Sequence, residues 1–303
     1  MPVASHSTQP ATWTLELPRG RRLELAAGRP RVMGVLNLTP DSFSDGGVWL
    51  DPDDPGRAVE RGLEMLSEGA DLLDLGAEST RPGGGVYGTG AAFVPAEEEL
   101  ARLLPVLERL RDLTDAPLSV DTRKAVVARR VIEAGADLIN DVSALADPEM
   151  AGVLAPEACP VVLMHSRGEL STMQRGIHFE NVVAEVRDEL AALVEWAAEA
   201  GIGRERIVID PGLGFGKTAG QNLTLNGAVP ALAELGRPVL VGASRKSFLG
   251  EITGAPPGGR LPGSLAAAGR AADGGAAILR VHDVAETVGF LRVWEAIGAG
   301  EAR

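Results

Sequence analysis

Short apolar runs recur along the chain, each closed by a polar residue or glycine and followed by a stretch with helical periodicity. The runs are Val32–Leu36, Leu72–Leu75, Leu118–Val120, Leu138–Ile139, Val161–Met164, Ile207–Ile209, Val239–Val241 and Ala277–Val281. Helices are predicted after them over 56–69, 96–113, 124–135, 148–155, 180–200, 221–235, 263–273 and 284–298. Runs apolar on both faces belong to parallel strands covered by helices. Eight such units in about 270 residues predict an α/β protein of the TIM (β/α)8 barrel type. A doubly wound parallel sheet is the rival arrangement of the same units.

Ahead of these units, Trp13–Leu17 and Arg22–Leu25 alternate around Pro18-Arg19-Gly20, the pattern of a short β-hairpin. Residues 1–12 are polar and without period. The chain therefore divides into an N-terminal tail and hairpin over 1–30 and one barrel over 31–300.

Composition narrows the functional classes. A chain of 303 residues buries enough surface to fold without a disulfide or metal staple. The single cysteine, Cys159, excludes an internal disulfide, a CxxC redox motif and a zinc ribbon, and reads as a small core residue. The absence of an 18-residue apolar run and of a secretory-signal layout leads to the expectation of a cytoplasmic protein with no membrane partner. The formal net charge of −13 disfavours nucleic acid as a partner. An anionic substrate must then be met by a local cluster of cations.

Polar residues collect where the predicted strands end. Asn37 closes the first, Glu78-Ser79-Thr80-Arg81 follow the second, and Asp121 closes the third. Asn140 and Asp141 close the fourth, His165 follows the fifth and Asp210 closes the sixth. Ser244-Arg245-Lys246 follow the seventh, and Arg280 and His282 lie at the eighth. In a barrel these positions ring the C-terminal face, where barrel active sites are built. Arg280 and His282, two apart, point to the same side. Asn37 offers a neutral oxygen suited to a hard cation such as Mg2+.

Other features carry less. Asp210-Pro211-Gly212-Leu213-Gly214-Phe215-Gly216-Lys217-Thr218 approaches a phosphate-binding P-loop, but Pro211 stands where that loop requires glycine. Gly212, Gly214 and Gly216 give GxGxG, not the dinucleotide fingerprint. Asp121 has a purely structural alternative as a strand-end carboxylate paired with Arg123, and His282 has one as a satisfied core histidine. His165 reads as a pocket-wall or structural residue, His178 as a surface one. Glu97-Glu98-Glu99 and Glu185, Asp188 and Glu189 read as solvated helix faces.

Seven blocks in order, 33–47 (MGVLNLTPDSFSDGG), 73–83 (LDLGAESTRPG), 119–123 (SVDTR), 135–143 (GADLINDVS), 210–218 (DPGLGFGKT), 242–247 (GASRKS) and 280–284 (RVHDV), resemble the dihydropteroate synthase family. The resemblance runs from about residue 31 to 298. It implies a transferase that condenses 6-hydroxymethyl-7,8-dihydropterin diphosphate with p-aminobenzoate, releasing diphosphate. It also implies a pterin site of Asp121, Asn140, Asp210, Lys246, Met164, Phe215 and Gly242. Diphosphate would meet Asn37, Thr80, Arg81, Arg280 and His282, with Mg2+ on Asn37. The p-aminobenzoate pocket, open also to sulfonamides, would be Ser244, Arg245, Phe43, Pro82 and Phe215. Asp121, Lys246, Arg280 and His282 would carry the catalysis, and the chain would form a homodimer.

Departures from the family pattern are the insert Gly83–Phe93, Ser166 where methionine is common, Glu169-Leu170 where Thr-Pro is frequent, and Gln221 before Asn222 where histidine is usual. Two rivals remain at this level: a non-catalytic pterin-binding paralogue and a pterin-binding barrel of the corrinoid methyltransferase type. The latter needs neither Ser244-Arg245-Lys246 nor Ser79-Thr80-Arg81-Pro82.

Overall fold

The computed structural model of the chain describes residues 11–39, 55–78, 94–168 and 176–299. Strands β1 (Thr12–Glu16) and β2 (Arg22–Ala26) pair antiparallel as the expected hairpin. The strands that follow are β3 (Arg31–Asn37), β4 (Leu72–Gly76), β5 (Leu118–Asp121), β6 (Leu138–Asp141), β7 (Val161–Met164), β8 (Ile207–Asp210), β9 (Leu240–Val241) and β10 (Ile278–Val281). They pair in parallel in the order β8-β7-β6-β5-β4-β3-β10-β9. A bridge between Ile209 and Val239, with the Ile209 N–H donating to the Pro238 carbonyl at 3.0 Å, joins β8 to β9 and closes the barrel. A doubly wound sheet has open edges and does not close in this way.

The helices are α1 (Gly56–Ser67), α2 (Ala96–Leu113), α3 (Ala125–Ala134), α4 (Met150–Leu154), α5 (Val182–Glu199), α6 (Ala219–Gly227), α7 (Val229–Ala233), α8 (Ser247–Thr253), α9 (Leu261–Asp273) and α10 (Val284–Ala299). Two differ from expectation. The helix predicted over 221–235 is the pair α6 and α7, broken at Ala228. Pro230 lacks the N–H that a continuous helix would need there, and it sits instead in the first turn of α7. Helix α8 has no counterpart in the periodicity, because its seven residues follow a glycine- and serine-rich stretch that reads as loop.

Strand alternation sorts the core into two parts. Leu73, Leu75, Val120, Ile139, Val161, Leu163, Ile207, Ile209, Val241, Leu279 and Val281 face outward and pack against the helices. Met33, Leu72, Leu138, Val162, Val208, Leu240 and Ile278 form a separate cluster inside the barrel. Leu15, Leu17, Leu23 and Leu25 of the hairpin belong to that inner cluster. The hairpin is thus a stopper across the N-terminal end of the barrel. Each of its buried leucines contributes about 1.5–3 kcal/mol by area.

Charge pins the stopper as well. The buried Asp137 carboxylate accepts from Arg21, from Arg19 Nη2 at 3.2 Å, from Arg111 Nη1 at 2.8 Å and from the Leu118 N–H at 3.0 Å. With one mouth sealed, chemistry is confined to the other. No helix among the described residues is long and apolar enough to cross a membrane.

Candidate active site

Two residues further along four of the strands, the same inward register carries polar groups in place of aliphatic ones. Leu72 is succeeded by Asp74, Leu138 by Asn140, Val208 by Asp210 and Ile278 by Arg280; Ser119 and Asp121 face inward from β5. Asp74, Ser119, Asp121, Asn140 and Asp210 are all buried. Polar groups in such a layer must be paired with one another or with a ligand.

Asp74 organises one half of the layer. Its Oδ1 accepts from Ser119 Oγ at 2.5 Å, while its Oδ2 accepts from Asn140 Nδ2 at 3.0 Å and Arg280 Nε at 2.6 Å. Arg280 then reaches Asp121 Oδ2 through Nη2 at 3.2 Å. Two carboxylates therefore share one guanidinium. Burial pushes the Asp121 carboxyl well above the usual carboxylate range; Arg280 opposes this, and the neighbouring Asp74 adds to it. Gly76 lies across from Asp121, where a Cβ would stand 3.6 Å from Asp121 Cβ.

The other half is built on the turn after β8. Asp210 Oδ1 accepts the Gly212 N–H at 2.7 Å, and burial raises its pKa against the pull of Lys246. Gly212, Gly214 and Gly216 all have positive φ, so the turn is tighter than side-chained residues allow. Lys246 donates to the Leu213 carbonyl and passes 4.7 Å from the Phe215 ring centroid. Burial brings Lys246 down to about 8, with Asp210 holding it up. Phe215, Met164 and Val142 form a small buried apolar cluster apart from the main core. A flat polar heterocycle would find here an apolar face, a carboxylate and an ammonium.

At the rim, the His282 N–H and Nδ1 both meet Ser244 Oγ, at 3.2 and 3.1 Å. Arg245 has φ of 58°, and its guanidinium pairs with Asp283, Nε to Oδ2 at 3.0 Å. Its N–H donates to Ser264 Oγ at 3.0 Å, and its carbonyl accepts from Arg260. Gly242 leaves room beside Arg280, whose Cβ would lie 3.7 Å from an added Cβ. Asn37 is half-buried at the end of β3.

The described residues thus bring Asn37, Asp121, Asn140, Met164, Asp210, Phe215, Gly242, Ser244, Lys246, Arg280 and His282 to one mouth. Phe43, Thr80, Arg81, Pro82 and the insert Gly83–Phe93 lie outside the described residues.

Several readings change. Asp121 meets Arg280, and the Arg123 of its structural alternative binds Glu78 instead, Nε to Oε2 at 3.1 Å and Nη2 to Oε1 at 2.9 Å. Glu99 is not on a solvated face. It is fully buried against Lys124, which also holds Glu78 at 2.7 Å. Glu189 is only partly exposed and meets His165 Nε2 at 2.9 Å. Asp141 turns its carboxylate to its own loop, accepting the Ser143 and Leu145 N–H groups at 2.8 Å each. Two further buried residues belong to this mouth. The apolar run LLDLG hides Asp74, although a lone acid at the inward register of Leu72 is a readable signal. Lys217 stands in the segment that only approaches a P-loop, where nothing in the spacing marks it as buried.

The pterin-binding enzyme family model matches residues 33–282. A dihydropteroate synthase of Synechocystis is 43% identical over 93% of this chain and 94% of its own length. A probable bifunctional folylpolyglutamate synthase/dihydropteroate synthase of Haloferax volcanii is 46% identical over 86% of this chain, which spans 30% of that longer protein. The structure of Xanthomonas albilineans dihydropteroate synthase with 4-aminobenzoic acid is similar at a TM-score of 0.84 and 49% identity, covering 95% of this chain and 99% of that one. With the closed barrel, the polar inner layer and these relatives in agreement, the chain belongs to the pterin-binding enzyme family and, within it, to the dihydropteroate synthases.

Proposed function

We propose that this chain condenses 6-hydroxymethyl-7,8-dihydropterin diphosphate with p-aminobenzoate to give 7,8-dihydropteroate and diphosphate. The observation that carries the reading is the inner polar layer, in which Asn140, Asp210 and Lys246 surround an apolar wall of Met164 and Phe215. A pterin edge presents an amino group, a ring N–H and a carbonyl. The Asp210 carboxylate accepts from the first two, and Lys246 donates to the carbonyl side. Asn140, with its Nδ2 committed to Asp74, offers its carbonyl oxygen to the second N–H of the amino group.

The C–O bond to the diphosphate breaks with the electron pair leaving on oxygen. The methylene cation left behind is conjugated with the electron-rich ring. Asp74 and Asp121 flank the Arg280 guanidinium, and a cation forming beside them favours the ionised form of Asp121 against the burial that raises its pKa, so this part of the layer responds to that positive charge. Arg280 in the inner layer and His282 just past the end of β10 favour the negative charge on the leaving group. The arylamine nitrogen is neutral at pH 7 and attacks with its own lone pair, so no strong general base is needed. Its proton leaves to water or to the departing diphosphate.

The donor set suits Mg2+ held through one neutral protein oxygen, that of Asn37, with substrate oxygens and water filling its other positions. When bound, Mg2+ would neutralise part of the diphosphate charge. The 4-aminobenzoic acid bound by the Xanthomonas relative supports p-aminobenzoate as the second substrate. A homodimer and a cytoplasmic location come with the reading, on the strength of the family resemblance.

The test is diphosphate release from the dihydropterin substrate, measured with and without p-aminobenzoate and with and without Mg2+. Release that requires both supports the proposal. No release with both present refutes it and leaves a pterin binder without turnover.

A further inference from the structure

The DPGLGFGKT segment is not a phosphate loop, yet its lysine is among the most enclosed charged groups of the chain, only 3% exposed. Lys217 Nζ lies under the turn that follows β8. It donates to the Phe215 carbonyl at 2.9 Å, the Gly212 carbonyl at 3.0 Å and His165 Nδ1 at 3.0 Å, with the His165 carbonyl at 3.3 Å. Three N–H bonds thus meet four acceptors, all of them protein groups. None of the substrate chemistry described above uses this ammonium.

The acceptors fix its purpose. Gly212 and Phe215 bracket the turn whose upper side carries the pterin contacts. The Gly212 N–H holds Asp210, the Leu213 carbonyl holds Lys246, and Phe215 supplies the apolar wall. One lysine therefore ties the turn from beneath while the other ties it from above. The stem of Lys246 packs on Gly214, where a Cβ would come within 3.1 Å of its Cδ. Gly212 rests against β7, where a Cβ would fall 1.9 Å from the His165 carbonyl oxygen.

His165 continues the chain outward. Its Nε2 meets Glu189 Oε2 at 2.9 Å, and Glu189 is held by Arg167, which also binds Glu185 at 2.7 Å and stacks 4.0 Å above Phe179. Burial disfavours a charged His165, and the adjacent ammonium disfavours it further. The neutral ring with its proton on Nε2 donates to Glu189 and leaves Nδ1 to accept from Lys217. The turn is thus tied to helix α5 through a lysine, an imidazole and a carboxylate.

We infer that Lys217 is a positioning residue for pterin recognition, which it serves by holding the Gly212 and Phe215 carbonyls while neutral His165 supplies its third acceptor. The inference rests on the function proposed above. It assigns to a residue that touches no substrate the alignment of three groups that do. Burial brings Lys217 down to about 7, with Asp210 raising it and Lys246 lowering it, and the acceptors around Nζ favour the protonated, three-donor form.

The test uses the full chain and two readouts: fluorescence titration with 6-hydroxymethylpterin, and steady-state kinetics with both substrates varied. The parent protein must bind the pterin and turn over; failure there refutes the proposed function and this inference with it. In a parent that does both, K217M is expected to raise the pterin Kd and the KM for the pterin diphosphate at least tenfold, with the KM for p-aminobenzoate changed less than twofold. A purely structural loss lowers the active fraction, and so kcat, while leaving Kd alone. Should K217M not fold, H165N and H165Q decide the matter. Asparagine keeps an acceptor where Nδ1 stands, whereas glutamine keeps only the reach to Glu189. H165N is expected within threefold of the parent in pterin Kd and H165Q at least tenfold weaker. Equal affinity of K217M and parent, or of the two His165 variants, would overturn the assignment.

Discussion

Asp74 is the residue on which the inner polar layer turns, and its removal has a calculable cost. In Asp74→Ala, Ser119 Oγ, Asn140 Nδ2 and Arg280 Nε lose the acceptor they now reach at 2.5, 3.0 and 2.6 Å. The site is fully buried, so water does not replace it without rearrangement. Breaking a buried ion pair by deleting one partner costs about 3–5 kcal/mol. For a chain of 303 residues the entropy of unfolding is about 0.6 kcal/mol/K, so the loss corresponds to about 5–8 °C in Tm. Asp74→Asn separates charge from hydrogen bonding. Its Oδ1 can serve Asn140 and Arg280, its Nδ2 can donate to a rotated Ser119 hydroxyl, and only the charge assistance is lost. That difference is about 1–2 kcal/mol, or about 1.5–3 °C. Differential scanning calorimetry of the two variants, with pterin titrations at a temperature where both are folded, checks the ordering. Asp74→Ala is expected to weaken pterin binding more than Asp74→Asn, because Asn140 then loses the contact that orients it. A Tm within 1 °C of the parent for Asp74→Ala, or an Asn variant as damaged as the Ala variant, would refute the reasoning.

The other predictions address the stopper, the thiol and the buried imidazole. Leu15→Ala removes a fully buried side chain from the cluster that seals the N-terminal mouth and is expected to cost about 2–5 kcal/mol, read as a lower denaturation midpoint with unchanged KM values. Cys159 is buried and its thiol is pushed up to about 12 by burial, so DTNB should label nothing in the native protein and one thiol in denaturant. Burial lowers the pKa of His165, so the unfolded chain takes up a proton first as pH falls below about 6.5. The stability due to neutral His165 is therefore present above that pH and drains away on acidification toward the lower folded value. His165→Asn should flatten the acid limb of a Tm-against-pH curve, and an unchanged limb would contradict the assignment.

Much of the fold was written locally. The inward and outward alternation of LLDLG, SVD, LIND and IVID follows from the two-residue period of a strand, and it already separates helix-facing aliphatics from mouth-facing polar groups. The break between α6 and α7 was also local, through Pro230, though a periodicity count runs across it. Helix α8 was not legible because seven residues carry too little period to distinguish from loop.

Asn140, Asp210, Lys246 and Arg280 were readable as candidates because polar residues at the ends of apolar runs are uncommon without a task. Their partners were not. Arg280 was readable as a cation for an anionic substrate, but not as the guanidinium that also lies between Asp74 and Asp121, acids far from it along the chain. Arg123 and Asp121 are neighbours in sequence and a pair was the structural alternative for Asp121, but β5 ends at Asp121, and Arg123, beyond the strand, reaches Glu78. Charges choose partners by distance in space, and barrel closure sets that distance. The eight units, the hairpin and the list of chemical groups were determined by residue order. Which carboxylate shares which cation, which lysine is buried under the turn and which faces the mouth were decided only when β10 closed against β3 and the low-dielectric interior required every charge to find a partner.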